Sequence, residues 1–168
     1  MAERRPAVFL DRDGTIVDDP GFLHRPADVR LLPGAAAAIA RLNAAGWPVV
    51  VVTNQSGIAR GLYDVTAYQS VQRRLDELLR AAGARVDATY FCPHHPDFTG
   101  PCDCRKPGTA LFQRAATDLN LDLTRSWFVG DRDSDIAPAL KLGGRGVQIG
   151  EPGVRDLAAV VDRILGPS

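Results

Sequence analysis

Short apolar runs alternate along the chain with longer segments in which apolar residues recur at helical spacing. Most of the runs are apolar at every position, which is typical of strands buried on both faces. The five expected strands are 7–10, 48–52, 86–91, 127–129 and 146–149. The five expected helices are 34–45, 65–82, 109–119, 134–142 and 154–165. This alternation predicts an α/β protein: a three-layer, Rossmann-like parallel sheet with helices on both faces.

Length and charge narrow the class of protein. The 168 residues fit one domain of ordinary size, so 1–168 is predicted to form a single domain. Twenty basic and twenty acidic residues cancel, which argues against partners recognised by a strong overall charge, such as nucleic acid or an anionic membrane. Near the N-terminus only 7–10 are consecutively apolar, too few for a signal peptide or a membrane span. A cytoplasmic location is therefore expected.

Chemically active side chains stand at the predicted carboxyl ends of the strands, where ligands bind in open parallel sheets. Asp11 and Asp13 leave the first strand into a glycine turn, so that both carboxylates can project into one small volume. The other candidates are Thr53 and Asn54 after the second strand, Lys106 before the third helix and Asp131 after the fourth strand.

Phosphoryl transfer needs this combination of groups. It requires a nucleophile, a divalent cation, fixed donors for the phosphoryl oxygens and a proton donor for the leaving group. Magnesium prefers a few carboxylates with phosphate and water, and Asp11, Asp131 and one backbone carbonyl would satisfy it. Taken singly, these residues could equally cap helices or lie at the surface. Their conjunction at one sheet edge predicts a phosphatase with catalytic Mg²⁺.

The segments DRDGT, VVTN, RKPG and GDRDSD resemble the four motifs of the haloacid dehalogenase superfamily, in the family's order and from end to end of the chain. In that family the first aspartate attacks phosphorus to form an aspartyl-phosphate, and the second acts as acid and then as base. The resemblance implies that Asp11 is the nucleophile and Asp13 the acid/base, and that Thr53 and Lys106 hold the phosphoryl oxygens. It also implies that Asp131 completes a magnesium site with Asp11 and the carbonyl of Asp13.

The same resemblance implies supporting roles for Asp135 and Asp133 behind the magnesium site. No large insertion follows the first or the second motif, so no separate cap domain is expected. Short loops must then shape the substrate pocket.

A polar, proline-rich loop over 92–104 contains all three cysteines of the chain. In a reducing compartment, an odd number of cysteines in one stretch argues against a disulfide framework. Cys92, His94, Cys102 and Cys104 offer three thiolates and an imidazole, which suits tetrahedral structural Zn²⁺. His95 competes with His94 as the fourth ligand. The alternative is that the cysteines remain reduced and only pack.

Within the superfamily, the cysteine loop and the segment TNQSGIARG resemble the D-glycero-D-manno-heptose 1,7-bisphosphate phosphatase family, whose enzymes remove the C7 phosphate. The related histidinol-phosphate phosphatases have a similar zinc loop and are the alternative. The resemblance implies a small sugar bisphosphate as substrate. Arg60 and Arg105 are candidates for its second phosphate, since an arginine fork suits bidentate phosphate binding. Asn54 is expected either to contact substrate or to brace its turn.

A different class of function would use the Cys/His loop as a zinc element that binds nucleic acid without catalysis. The loop lacks a flanking basic and aromatic stripe and the chain is neutral, so we expect no nucleic-acid partner. We expect a monomer.

Overall fold

The computed structural model describes residues 2–167, which contain one sheet of five parallel strands in the order β3-β2-β1-β4-β5. Each strand is followed in the chain by a helical segment, so the parallel α/β fold predicted from the pattern is confirmed. The strands are β1 Val8–Leu10, β2 Val49–Asn54, β3 Ala88–Cys92, β4 Trp127–Gly130 and β5 Arg145–Gln148.

The five expected helices are present, with ends that differ from the predicted ones by a few residues. Their caps explain several ends: Asp64 accepts a hydrogen bond from the amide of Ala67 at the start of the third helix, as the sequence predicts. Two four-residue helices were not predicted, because so short a segment shows no periodicity. The helices are α1 Ala35–Ala44, α2 Ser56–Ala59, α3 Val65–Ala81, α4 Pro96–Thr99, α5 Ala110–Leu119, α6 Asp133–Leu142 and α7 Leu157–Leu165.

Alternate residues of the central strands face two separate apolar cores. In β1, Val8 and Leu10 join the core that α1, α3 and α7 cover, whereas Phe9 points into the opposite core with α5 and part of α6. Phe9 stacks on Phe128 of β4 with 5.1 Å between ring centres. Both faces of β1 are therefore buried, which explains why its sequence is continuously apolar.

The topology places the chemistry at one edge. The chain runs from β1 outward through β2 to β3, then returns to the other side of β1 for β4 and β5, which makes the β1–β4 boundary the switch point. Between β1 and α1 the structure has only a 3-10 turn, Pro26–Asp28, and between β2 and α3 only α2, so these two insertions form no cap domain within residues 2–167. None of the described helices is both long and apolar enough to cross a membrane.

Candidate active site

A buried lysine joins two carboxylates beyond the ends of β1 and β4. The Nζ atom of Lys106 lies 3.0 Å from Oδ1 of Asp11 and 2.6 Å from Oδ1 of Asp135. The same ammonium donates to the carbonyl oxygen of Val52 at 2.6 Å. Lys106 is only 4% exposed, so its charge depends on these partners rather than on water. The motifs that contain Asp11 and Lys106 thus lie together, as expected. The resemblance implies only a supporting role for Asp135 behind the magnesium site, but Asp135 contacts Lys106 directly.

The protonation of Asp11 reflects its burial and its neighbours. Burial raises the pKa of Asp11 to about 7, with the charge of Lys106 opposing this rise and the charge of Asp135 adding to it. Burial, followed by the charge of Asp135, also raises the pKa of Asp131. Burial makes these carboxylates costly to ionise in the free protein, so a bound cation would stabilise their charged form. Hard oxygen ligands of this kind suit a metal ion such as Mg²⁺.

Three carboxylates lie close enough together to hold one cation. One oxygen from each of Asp11, Asp131 and Asp135 lies within 4.8 Å of the others. Oδ1 of Asp131 is buried and has no hydrogen-bond partner among residues 2–167, so it is an acceptor that lacks a donor. Gly14 has φ 84°, and a side chain at that position would collide with the carboxylate of Asp131. The glycine of the first motif therefore leaves room for the aspartate of the fourth.

The second carboxylate of the first motif is held by a buried arginine. Arg12 donates from Nε to Oδ1 of Asp13 at 2.9 Å and from Nη2 to Oδ2 at 3.2 Å. Nε2 of Gln55 donates to Oδ2 of Asp13 at 3.2 Å and to Oγ1 of Thr53 at 2.9 Å. Tyr63 fixes the orientation of that amide by donating its hydroxyl to Oε1 of Gln55 at 2.6 Å. These contacts link the residues predicted as acid/base and as phosphate ligand.

Asn54 braces the main chain of Lys106. Its Nδ2 donates to the carbonyl of Lys106 at 3.2 Å, and its Oδ1 accepts from the amide of Lys106 at 3.0 Å. Both polar ends of the side chain bind the main chain of Lys106, so Asn54 braces that distant segment rather than its own turn. Asn54 also lines the cavity above the site.

A cavity of about 320 Å³ opens above these groups. It falls at the lower end of the range for small-molecule sites, roughly 300–1,000 Å³. Both arginines predicted to bind substrate line it, and Nη1 of Arg105 is buried without a partner among the described residues. The lining includes the residues predicted to bind the phosphoryl group or the substrate, namely Asp11, Asp13, Thr53, Lys106, Arg60 and Arg105.

Arg60 is held at the cavity mouth by aromatic rings from two other loops. Its guanidinium carbon lies 5.5 Å from the ring centre of Phe22 and 5.0 Å from that of Phe98. Both rings are substantially exposed, at 43% and 54%. Such cation–π contacts hold the side chain over the cavity and join the loops after β1 and β3 to the loop after β2.

The three thiols of the cysteine loop converge. Sγ of Cys92 lies 3.7 Å from Sγ of Cys102 and 2.7 Å from Sγ of Cys104, and the last two are 3.7 Å apart. Among residues 2–167 the ligand atoms gathered within 4.8 Å of one another here are these three sulfurs, and those of His94 are not among them. The structure therefore brings together three of the four predicted zinc ligands.

His95 makes other contacts. Its Nδ1 accepts a hydrogen bond from the amide of Asp97 at 3.2 Å, where it caps α4, and its Nε2 lies 3.4 Å from Nη2 of Arg60. Of His94 and His95, it is His94 that has no side-chain hydrogen bond among the described residues.

Sequence reasoning missed Arg12, Gln55 and Tyr63. Arg12 stands between Asp11 and Asp13 in the chain, and Gln55 stands two residues after Thr53, so both lie next to recognised motifs. Their polar types carried no distinct signal, because an arginine or glutamine beside a turn is ordinarily solvated. Only the structure shows that they are buried, at 0% and 2% exposure.

Comparison with known proteins agrees with this geometry. The family model described as haloacid dehalogenase-like hydrolase matches residues 8–85, and a second described as HAD-hydrolase-like matches residues 103–162. A solved D,D-heptose 1,7-bisphosphate phosphatase from B. bronchiseptica, complexed with magnesium and phosphate, superposes with a TM-score of 0.85 at 34% identity, over 95% of this chain and 98% of that one. The fold and the four converging motifs define a haloacid dehalogenase-like hydrolase.

Curated relatives give the finer family. A D-glycero-D-manno-heptose-1,7-bisphosphate 7-phosphatase from Thermosynechococcus vestitus is 46% identical over 154 residues, 86% of this chain and 79% of the relative. A D-glycero-beta-D-manno-heptose-1,7-bisphosphate 7-phosphatase from Yersinia pestis is 38% identical over 98% of this chain and 92% of the relative. The chain belongs to the family of D-glycero-D-manno-heptose-1,7-bisphosphate 7-phosphatases.

Proposed function

We propose that this protein hydrolyses the C7 phosphate of D-glycero-D-manno-heptose 1,7-bisphosphate with Mg²⁺, through an aspartyl-phosphate on Asp11. The observation that carries the proposal is the meeting of Asp11, Lys106 and Asp131 beneath one cavity whose rim carries two arginines. A phosphoryl group bound there would find a nucleophile, a fixed cationic donor and carboxylates for a metal ion.

The residues present fit a magnesium ion. Asp11, Asp131 and the backbone carbonyl of Asp13 would hold it, and the unpartnered oxygen of Asp131 supports this assignment. When bound, Mg²⁺ neutralises negative charge on the phosphoryl oxygens and on the attacking carboxylate. Asp135 would stay with Lys106 and with the amide of Arg132, which donates to its Oδ2 at 3.1 Å.

In the first step Asp11 attacks phosphorus, and the bond from phosphorus to the sugar oxygen breaks. The electron pair leaves with that oxygen, which takes a proton from the carboxyl group of Asp13. Lys106 uses all three of its N–H donors in the free protein, so the one that reaches Asp11 would turn to a phosphoryl oxygen as Asp11 attacks. The hydroxyl of Thr53 donates to another, since its oxygen already accepts from Gln55 and its proton is free to point into the cavity.

In the second step water hydrolyses the aspartyl-phosphate. Asp13, now a carboxylate, takes a proton from the water as the water oxygen bonds to phosphorus. The bond from phosphorus to Asp11 breaks, and inorganic phosphate and the free carboxylate of Asp11 are restored. One residue serves as acid and then as base, so the two steps need no further titratable group.

The second phosphate of the substrate would be bound at the rim. Nη1 of Arg105 is a buried donor without an acceptor within residues 2–167, which a phosphate oxygen would supply. Arg60 lies across the same cavity and presents a second guanidinium. A bisphosphate therefore satisfies donors that a monophosphate leaves unpaired.

We expect kcat/KM with magnesium to be at least ~100-fold higher for the heptose 1,7-bisphosphate than for histidinol phosphate, since unpaired buried donors penalise the smaller ligand. Steady-state kinetics on both substrates provide the measurement. Comparable values, or a preference for histidinol phosphate, would favour the alternative activity.

The matched variant for this comparison is Arg105→Met, which keeps an unbranched apolar stem but removes the guanidinium fork. It should lower kcat/KM for the bisphosphate by ~10–100-fold, as expected for one hydrogen-bonded charged group, and leave histidinol phosphate nearly unaffected. An equal loss on both substrates would place Arg105 at the reacting phosphate instead.

We also propose that Cys92, Cys102, Cys104 and His94 hold a structural zinc ion. A Zn–S bond of about 2.3 Å gives sulfur–sulfur separations of about 3.8 Å in a tetrahedron. Two of the three observed separations are 3.7 Å, and the third, 2.7 Å, would lengthen on binding. The ion would fix the loop immediately before Arg105 and Lys106.

Protein purified without chelator should contain about one zinc per chain, because four ligands with no open position describe a structural site. Elemental analysis measures the metal, and a thiol reagent should modify no cysteine until the metal is removed. His94→Ala should lose the zinc, whereas His95→Ala, its neighbour in the chain, should retain it. A zinc-free protein with three freely reactive thiols would contradict the proposal.

A further inference from the structure

Arg12 is a fully buried cation whose carboxylate partner is Asp13. Its side chain is 0% exposed and is the largest of those that are fully buried. Within residues 2–167 its one ion pair is the two-pronged contact with Asp13. Burying a guanidinium is costly unless good geometry compensates it, so the orientation of this pair is strongly determined.

Apart from Asp13 and one aromatic ring, the described surroundings of Arg12 offer its guanidinium no polar partner. Its guanidinium carbon lies 5.6 Å from the ring centre of Tyr68, and its Nη1 has no hydrogen-bond partner among the described residues. A cation kept only to stabilise the fold would ordinarily have its donors satisfied. Here the fork is directed at one carboxylate, and Arg12 itself does not line the cavity.

Gln55 adds a third donor to Asp13 and links it to the phosphate ligand. One amide nitrogen contacts both Asp13 and Thr53, and the hydroxyl of Tyr63 holds the other end of the amide. The side chain of Asp13 remains 20% exposed. Three donors therefore fix the carboxyl group from the protein side, while part of it stays open to the cavity.

We infer that Arg12 is a positioning residue for Asp13 in both proton transfers, and that Gln55 ties the position of this carboxyl group to Thr53. The inference rests on the proposed function, which gives Asp13 the proton-transfer role. In the first step an Asp13 oxygen must meet the departing sugar oxygen, and in the second the attacking water. General acid–base catalysis contributes about 10²–10⁴-fold only when that geometry is held.

The test compares a substrate that needs the proton with one that does not. Arg12→Met, which keeps an unbranched stem but has no donors, should lower kcat/KM for the heptose bisphosphate by ~30–100-fold, a large part of the acid contribution. It should lower kcat/KM for p-nitrophenyl phosphate by no more than ~3-fold, because nitrophenolate departs without protonation. Stopped-flow with p-nitrophenyl phosphate should then show a burst of one nitrophenolate per active site, since the second step still needs Asp13 as base.

Arg41→Met is the control for loss of an ion-paired arginine. Arg41 lies on α1, where its Nη1 donates to Asp162 at 2.7 Å, and its removal should leave the ratio of the two kcat/KM values unchanged. If circular dichroism shows that Arg12→Met is unfolded, Arg12→Lys takes its place. This variant keeps the charge but offers no fork, so the same split between substrates is expected at smaller size.

The outcomes separate the two proposals. A folded Arg12 variant that loses both substrates equally, or neither, overturns the positioning role while leaving the proposed function intact. Wild-type protein that hydrolyses neither substrate with magnesium overturns the proposed function, and the role of Arg12 with it.

Discussion

Asp11→Asn should reduce turnover of the heptose bisphosphate by at least ~10⁴-fold, the scale on which loss of a catalytic nucleophile acts. The amide has nearly the same shape as the carboxylate but cannot form the aspartyl-phosphate. The free energy of unfolding of the metal-free variant should not fall, since burial already makes the charge of Asp11 costly. Phosphate release measures the first quantity and urea unfolding in EDTA the second.

Asp118→Asn is a suitable control for Asp11→Asn. Asp118 lies on α5, where it accepts from the hydroxyl of Tyr90 at 2.9 Å, away from the cavity lining. This variant should keep normal turnover after the same purification, which shows that the loss in Asp11→Asn comes neither from the purification nor from an aspartate-to-asparagine change as such. Asp11→Asn protein that keeps more than a few per cent of the wild-type rate would show that another group attacks phosphorus.

Lys106→Met should abolish turnover and lower the free energy of unfolding by ~3–5 kcal/mol at pH 8, because it leaves two buried carboxylates without their cation. The loss should shrink towards pH 5. Without Lys106 the pKa of Asp11 would lie above about 7, its value in the intact site, and far above its unfolded value of 3.8. The folded state then binds more protons than the unfolded state, so stability falls as pH rises through this window. Urea unfolding of metal-free protein at both pH values measures this slope.

Lys141→Met provides the matched control, since Lys141 is the other of the two lysines in the chain and is exposed on α6. It removes one exposed hydrogen bond, from Nζ of Lys141 to the carbonyl of Pro107 at 3.0 Å, and should lower stability by no more than ~1 kcal/mol and leave turnover unchanged. Adding Asp135→Asn to Lys106→Met removes one of the two orphaned charges and should recover part of the lost stability without restoring turnover. A pH-independent loss, or no recovery in the double variant, would mean that Lys106 acts mainly by packing.

The sheet and the main site residues could be predicted from the sequence because both depend on local pattern. Continuous apolar runs reveal buried strands, and topology then brings Asp11, Lys106 and Asp131 to one edge regardless of their separation in the chain. The pairing of Lys106 with Asp135 and the burial of Arg12 depend on packing between distant segments, which no local pattern encodes. The monomeric state and the absence of a nucleic-acid partner stay predictions.

In the cysteine loop, too, only part of the arrangement could be predicted from the sequence. The clustering of the three thiols follows from their spacing, whereas the choice between His94 and His95 depends on which imidazole the capping of α4 takes up. A capping histidine has no distinct sequence signature, because serine, threonine, aspartate and asparagine are the usual capping residues.

The guanidinium of Arg60 contacts the rings of Phe22 and Phe98, so this part of the pocket rim joins three separate connections, whereas Asp11 directly follows β1 and Thr53 lies on β2. The loops proposed to select the substrate are therefore separate from the strand ends that carry the proposed reacting groups. Exchange of these loops between relatives should retarget the enzyme to other phosphate esters with its chemistry retained, a route to new specificity that needs no additional domain.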